Sequence, residues 1–171
     1  MTVTPFEVGD PVTADALDEQ FDPPMGRLRQ GTTQTGLASA AVVAITFAAT
    51  DELDTHGFHD PASSNTKVTP TVPGWYDVRG GVSLAGQTDF TVVQAVIGKS
   101  GASFLAPAHR ITPSASAQSL VLPVQALVQC NGTTDYFELY ASATRSGAGV
   151  WATVISSQFA CVLEWKFERP L

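Results

Sequence analysis

Over most of the chain, apolar and polar positions alternate in short runs separated by segments rich in Gly, Pro, Asn, Asp and Ser. The clearest run, residues 159–168, predicts a strand with Cys161, Leu163 and Trp165 on one face. Another, residues 136–143, carries large side chains on both faces. The same pattern predicts further strands at 42–49, 75–84, 90–97 and 119–128. Short strands at this spacing predict an all-β fold, either a sandwich or a barrel.

Turns are predicted where glycine falls between apolar runs. The predicted turns are Gly80-Gly81, Lys99-Ser100-Gly101 and Asn131-Gly132. Asn131, Gly132 and Thr133 also match an N-glycosylation acceptor, which has a meaning only for a chain that enters the eukaryotic secretory path. A β-hairpin turn is the better interpretation of this segment.

Residues 1–36 differ from the rest of the chain, because prolines and acidic residues punctuate them. Thr13 can cap a short helix that ends at Pro23, with Leu17 and Phe21 on one face. Since so short a helix is marginal alone, we expect it to dock onto another protein. The candidate anchoring residues are Phe6, Leu17, Phe21 and Met25. The sequence therefore predicts an N-terminal anchoring arm, residues 1–36, and one β-domain, residues 37–171.

Charged residues make up only 15% of the chain, against roughly 25% in soluble domains, and hydrophobic residues make up 44%. So little charge suggests that part of the surface contacts another protein. The formal net charge of −7 argues against a nucleic-acid partner, because phosphates are bound by basic surfaces. The longest apolar stretch, residues 36–49, is shorter than the roughly 20 residues of a spanning helix, so no membrane partner is expected.

The first residues contain neither the basic nor the apolar region of a secretory signal, so we expect synthesis and assembly in the cytosol. Cys130 and Cys161 lack a metal-type spacing. In a reducing compartment such cysteines are more often small buried hydrophobic residues than a disulfide, and both interpretations stay open at this point.

One segment, DTHGFHD, invites a metal interpretation, because it contains Asp54, His56, His59 and Asp60. Two histidines with flanking carboxylates could bind zinc or calcium, but a polar loop between strands explains them better. His56, His59 and Asp60 are therefore only weak metal candidates, and no cofactor is expected. We expect no enzyme activity and no catalytic residues, because His109 alone remains as a partner for a cupin-type or nucleophilic site.

Four segments occur in an order typical of a known family. They are VAITFAAT (43–50), SSNTKVTPTVPGWYDVRGGV (63–82), DYFELYASAT (135–144) and FACVLEW (159–165). They resemble the complement C1q and tumour-necrosis-factor jelly roll, and the resemblance implies a jelly-roll β-sandwich over residues 37–167. No collagen-like repeat accompanies it, so a secreted complement protein is not expected.

In that family the outer face of the sandwich packs around a three-fold axis, so the resemblance implies a homotrimer. The outward residues of two predicted strands would form an apolar patch of the kind that marks an interface. The candidate interface residues are Tyr136, Tyr140, Ala160 and Val162.

The segment FEVGDPVTADAL, residues 6–17, is similar to openings of the type G-x-x-L-T-A-x-x-L-N in bacteriophage tail and fibre proteins, although Asp18 stands where Asn is usual. The similarity implies a virion structural protein of the minor-tail or capsid-decoration type, assembled in the host cytoplasm and without catalytic activity. Its arm would bind other virion proteins.

The alternative is a receptor-binding or adhesive module, whose loops recognise a glycan or protein of the host surface. Loop aromatics such as Phe58 and Trp151 could contact a sugar, although isolated aromatics are more often part of a core or an interface. An enzyme on the same fold is a third and less favoured hypothesis, since the ligand motif is missing.

Overall fold

Strands alone make up the regular structure of the residues that this computed structural model describes, which are 22–48, 52–101, 103–111, 119–147 and 149–171. The strands are β1 (Met25–Arg29), β2 (Leu37–Ala38), β3 (Val42–Ala44), β4 (Leu53–Asp54), β5 (Gly74–Leu84), β6 (Phe90–Lys99), β7 (Ser103–Ile111), β8 (Leu120–Cys130), β9 (Phe137–Arg145), β10 (Val150–Trp151) and β11 (Val162–Pro170). The predicted all-β fold is confirmed. Within these ranges no helix is long and apolar enough to cross a membrane.

Two antiparallel sheets form the body of the molecule. The larger sheet contains five strands in the order β4-β1-β11-β5-β8, and the smaller contains four in the order β3-β9-β6-β7. Strands β10 and β2 form a separate two-stranded ribbon. Buried residues of both sheets belong to one core cluster, so the sheets pack face to face as a β-sandwich.

The close approach of the two sheets depends on a glycine in β5. Alternate residues of this strand point inward, and Tyr76 and Val82 are fully buried. Gly80 takes an inward position between them, where a Cβ would lie 2.6 Å from Cδ1 of Leu139 in the opposite sheet. Gly80-Gly81 therefore lies inside a strand, and the turn predicted there is wrong.

The strands with the clearest alternation are confirmed, although β11 begins at Val162, after the first three residues of the predicted run 159–168. Phe137 and Leu139 of β9 are buried, as are Leu163 and Trp165 of β11. The strands predicted at 75–84, 90–97 and 119–128 correspond to β5, β6 and β8. The strand predicted at 42–49 is regular only over β3.

Part of the predicted arm belongs to the larger sheet. β1 pairs with β11 over its whole length, and its residue Leu28 is fully buried. Met25 is therefore the first residue of a strand, which corrects its assignment to an anchoring arm. The predicted helix from Thr13, with Phe6, Leu17 and Phe21, lies outside the described residues. An arm thus stays a prediction for residues 1–21.

Only one of the other two predicted turns is a hairpin. Lys99-Ser100-Gly101 leads from β6 to β7 within the smaller sheet. Asn131-Gly132 instead leads from β8 in the larger sheet to β9 in the smaller one, so its hairpin interpretation is wrong. The geometry of this connection comes from Asn131, whose Oδ1 accepts the backbone N–H groups of Thr133, Thr134 and Asp135, each at 3.0 Å.

The sandwich has two distinct ends. β1 begins and β11 ends at the same end, where the N–H of Phe167 donates to the carbonyl of Pro24 at 2.8 Å. We call it the terminal end. At the opposite end, which we call the loop end, the described residues belong to the connections that follow β1, β5 and β9, within residues 30–41, 85–89 and 146–161.

Candidate functional site

The candidate metal segment is a tight loop whose carboxylates are engaged by its own chain. Asp54 accepts the backbone N–H groups of His56 and His59 at 3.3 and 2.9 Å. Asp60 accepts hydrogen bonds from the hydroxyl and the backbone of Ser63, and these bonds hold the pKa of Asp60 below its usual value. Among the described residues, no group of three or more His, Cys, Asp or Glu is placed to hold a metal ion. The loop therefore uses these residues for its own geometry.

The two histidines of this loop have different environments. His56 is exposed, and its Nδ1 lies 2.8 Å from the hydroxyl of Thr55. His59 is buried, with its ring edge-on to Phe47 at a centroid distance of 6.5 Å. The structure therefore places His59 in the core and His56 on the surface.

The two histidines should respond differently to truncation. His59→Ala removes a buried ring and should lower the free energy of unfolding by about 2 kcal/mol. His56→Ala, the matched control, should change it by less than about 0.5 kcal/mol because the ring is exposed. Urea denaturation of both variants measures the difference. A chelator-sensitive melting temperature in the unmutated protein would instead indicate a metal site.

The predicted interface residues do not form one patch. Tyr136 and Tyr140 lie on the outer side of the smaller sheet, whereas Val162 belongs to the larger one, and Ala160, just before it, accepts a hydrogen bond from Ser83 of that sheet. The predicted patch is thus divided between opposite faces of the sandwich. Alternation along a strand shows which residues share a face, but it does not show which strands share a sheet.

Tyr136 and Tyr140 are partly covered by their own chain. Glu138, between them on β9, is buried and accepts hydrogen bonds from the hydroxyls of Thr66, at 2.6 Å, and of Tyr140. The ammonium of Lys67 lies 4.4 Å from the centre of the Tyr136 ring. Burial, with a smaller contribution from Glu138, raises the pKa of Tyr140. This cluster holds the segment before β5 against the smaller sheet.

The outer face of β8 is an apolar surface that the sequence analysis missed. β8 is an edge strand of the larger sheet, and Val121 and Leu127 are each 51% exposed on its outer side. Pro123 is exposed on the same side. We call Val121, Pro123 and Leu127 the β8 patch. The absence of any charged residue or histidine between Ile111 and Thr134 is a signal that could have found it.

Beside the β8 patch, the same sheet face carries interleaved charges. Arg27 forms ion pairs with Glu52 at 2.7 Å and Glu164 at 3.1 Å, and Arg79 pairs with Asp77 at 2.7 Å. A groove of about 390 Å³ runs over these ion pairs. Because positive and negative groups neutralise each other along the groove, it selects neither an anion nor a cation.

The two cysteines are too far apart for a disulfide. Cys130 pairs with Gly74 at one end of β5, and the Sγ of Cys161 accepts the N–H of Ser83 near the other end. Nine strand residues separate these positions, about 30 Å at about 3.3 Å per residue. Burial raises the pKa of both thiols to about 12. Neither is a thiolate nucleophile at neutral pH.

Phe58 and Trp151 are core residues. Their exposed fractions are 3% and 1%, and the indole N–H of Trp151 donates to the carbonyl of Ala38 at 2.8 Å. The core interpretation of these aromatics is confirmed, so neither is available as a sugar platform.

The sequence matches no protein-family model and no curated protein. Solved structures do match. The globular domain of zebrafish complement 1qA protein superposes with a TM-score of 0.61 at 15% identity, over 88% of this chain and 100% of that one. Murine APRIL at pH 5.0 gives 0.61 at 11% identity, over 85% of this chain and 100% of that one. The chain has the C1q/tumour-necrosis-factor jelly-roll fold.

The jelly roll confirms the fold that the sequence resemblance implies. The four resembling segments contribute β3, β5, β9 and β11, which belong to both sheets. At 15% identity and below, the likeness establishes the fold alone. Because one fold carries many functions, the function of this jelly roll has to be argued from its own surfaces.

Proposed function

We propose that this chain is a structural protein of a bacteriophage virion, a trimeric tail or capsid appendage of the minor-tail or decoration type without catalytic activity. The β8 patch carries the proposal, because it is an apolar surface on a sandwich whose described residues assemble no metal cluster. The phage setting is supported by the similarity of residues 6–17 to tail and fibre proteins. Attachment to other virion proteins is assigned to residues 1–21.

The β8 patch suits contact between copies of this chain. Exposed valine and leucine side chains gain about 25 cal/mol per Å² when they are covered, and interface centres are depleted of charge. Pro123 argues against edge-to-edge pairing of two β8 strands, since proline has no N–H to donate and protects sheet edges. Copies would therefore meet through the side chains on their sheet faces. In a closed three-fold ring the β8 patch of every copy is covered.

Charging the patch should dissociate the assembly. Light scattering of the unmutated protein should give close to three times the chain mass of 18.0 kDa. The double variant Val121→Lys and Leu127→Lys should give a single chain mass, because two buried ammonium groups would each cost several kcal/mol. Circular dichroism should remain unchanged, since both side chains lie on the surface.

Val150→Lys is the matched control for this experiment. Val150 is 54% exposed but belongs to the β2–β10 ribbon and not to β8, so the variant should stay trimeric. An unmutated protein that is monomeric at micromolar concentration would overturn the trimer. A trimer unaffected by the double variant would move the interface to another face.

The virion role is tested on particles. An antibody against this chain, coupled to gold, should label purified virions in electron micrographs. Labelling of the tail identifies a minor tail protein, and labelling of the head identifies a decoration protein. Absence of the chain from particles, checked by mass spectrometry, contradicts the proposal.

A second candidate function is receptor binding or adhesion, through a host-surface glycan or protein. The end of the sandwich at which β1 begins favours it. If residues 1–21 hold the domain on the particle, the terminal end faces the virion and the loop end faces outward. The connections of the loop end would then be the first part of the protein to meet a host cell.

A further inference from the structure

The two ends of the sandwich differ sharply in charge. Of the connections of the loop end, residues 30–41 and 146–161 contain no Asp, Glu, Lys, Arg or His, and residues 85–89 contain one such residue, Asp89. The terminal end, by contrast, carries Lys99 and Asp135, which form an ion pair at 2.9 Å. Because surfaces of soluble domains are commonly about a quarter to a third charged, a single charged residue in these three connections is unusual.

Charges at the margin of the loop end are engaged with the protein itself. Arg145 binds Asp89 at 2.8 Å and also donates to the carbonyl of Val150. Arg29, on β1, donates to the carbonyl of Ser156 at 3.2 Å. Apart from these marginal charges, of which the Arg29 side chain is exposed, the exposed residues of the loop-end connections are uncharged.

Hydroxyl, amide and aliphatic groups are what the loop end exposes. The exposed hydroxyl and amide residues of its connections include Thr32, Thr33, Thr35, Thr88, Ser157 and Gln158. Beside them, Val42 and Val150 are 52% and 54% exposed. Neutral sugars present the same two chemistries, hydroxyl groups that exchange hydrogen bonds and C–H faces that pack on aliphatic side chains.

The platform under these side chains is held by internal hydrogen bonds. The N–H of Gln34 donates to the hydroxyl of Thr153 at 2.9 Å, and its side chain accepts the N–H of Thr46 at 2.9 Å. The indole of Trp151 is bonded to the carbonyl of Ala38, which fixes the β2–β10 ribbon. A surface ordered before binding loses less conformational entropy when a ligand arrives.

We propose that the loop end binds an uncharged polysaccharide. This inference rests on the adhesive role proposed above and names its ligand class. Anionic polymers are disfavoured, because the loop-end connections contain no cation to bind a phosphate or carboxylate. A protein partner is disfavoured as well, since protein interfaces are enriched in aromatics and arginine and depleted of serine and alanine. A trimer would present three such ends in one direction, and multivalency would compensate for weak single contacts.

Affinity electrophoresis of the full chain through gels that contain one polymer each tests the proposal. The uncharged probes are dextran, mannan and galactan, and the anionic probe is polygalacturonate. At least one uncharged polymer should retard the protein, and retardation should persist when salt is raised from about 50 to about 500 mM, since no ion pair is involved. Retardation by polygalacturonate alone, or by no polymer, overturns the proposal.

Charge insertion locates the site. Thr33→Asp with Ser157→Asp should weaken retardation by about tenfold or more, because a carboxylate must be desolvated against the sugar. Thr133→Asp is the matched control at the terminal end and should bind as the unmutated protein does. Equal weakening by both variants places the site elsewhere and overturns the proposal. Normal incorporation of the loop-end variant into virions would show that the virion role stands independently of sugar binding.

Discussion

A chain that lacks residues 1–36 should fail to fold, whereas a chain that lacks only residues 1–21 should keep the whole β-domain. The longer deletion removes β1, which lies between β4 and β11 in the larger sheet. It removes the buried side chain of Leu28 and uncovers Leu163 and Trp165, which pair with Leu28 and Gly26 of β1. With the lost strand hydrogen bonds, we expect a loss of about 5 kcal/mol or more, which equals the whole stability of many domains.

Circular dichroism and urea denaturation of the two truncated chains measure this difference. The shorter deletion is the matched control, because it ends before the first described residue, Asp22. It should unfold at the same urea concentration as the full chain. A cooperative unfolding transition in the chain that begins at Leu37 would mean that β1 is dispensable and that the larger sheet is complete without it.

The shorter deletion also tests the anchoring arm. A chain without residues 1–21 should remain trimeric, because the β8 patch is intact, but it should be missing from particles. Phe6, Leu17 and Phe21 are the anchoring candidates that this deletion removes. Incorporation of the truncated chain at normal levels would refute the anchoring role, and loss of the trimer would assign assembly to the arm.

The strands that sequence alone could predict are those whose own residues show the pattern. In β11, Leu163 and Trp165 alternate with Glu164 and Lys166, so the buried face is evident from period two. In β1 the segment MGRLR contains one large buried residue, Leu28, and its other inward position is a glycine. A glycine is needed there because the ring of Trp165, from β11, lies against position 26. The sequence of β1 itself does not show this contact.

The surfaces were harder to predict for the same reason. Tyr136 and Val162 were placed on one patch because each faces outward from its strand, yet the two strands belong to different sheets. Sheet membership depends on pairing between distant segments, which alternation does not encode. The β8 patch and the neutral loop end were accessible in principle, because long uncharged stretches are visible in the sequence. The sequence does not show which of these distant stretches lie side by side in the fold and so form one surface.

Gly26→Ala should be among the most destabilising single substitutions in the domain. A Cβ on Gly26 would overlap Cζ2 and neighbouring atoms of the Trp165 indole. The ring is itself buried, with the ring of Phe137 at a centroid distance of 6.1 Å, so it has little room to move. We expect a loss of about 3 kcal/mol, at the upper end of overpacking effects, and a melting temperature roughly 6–12 °C lower.

Gly147→Ala is the control, because a Cβ there would meet only Asp89 Oδ2, at an ordinary 3.8 Å. Its melting temperature should stay within about 2 °C of the unmutated value.

A double-mutant cycle with Trp165→Phe then isolates the cause. Trp165 Nε1 is buried without a hydrogen-bond partner, so the smaller ring loses no hydrogen bond and leaves space beside β1. In that background Gly26→Ala should cost less than about 1 kcal/mol, a coupling of about 2 kcal/mol. Equal costs in both backgrounds would show that the indole is not what excludes a side chain at position 26.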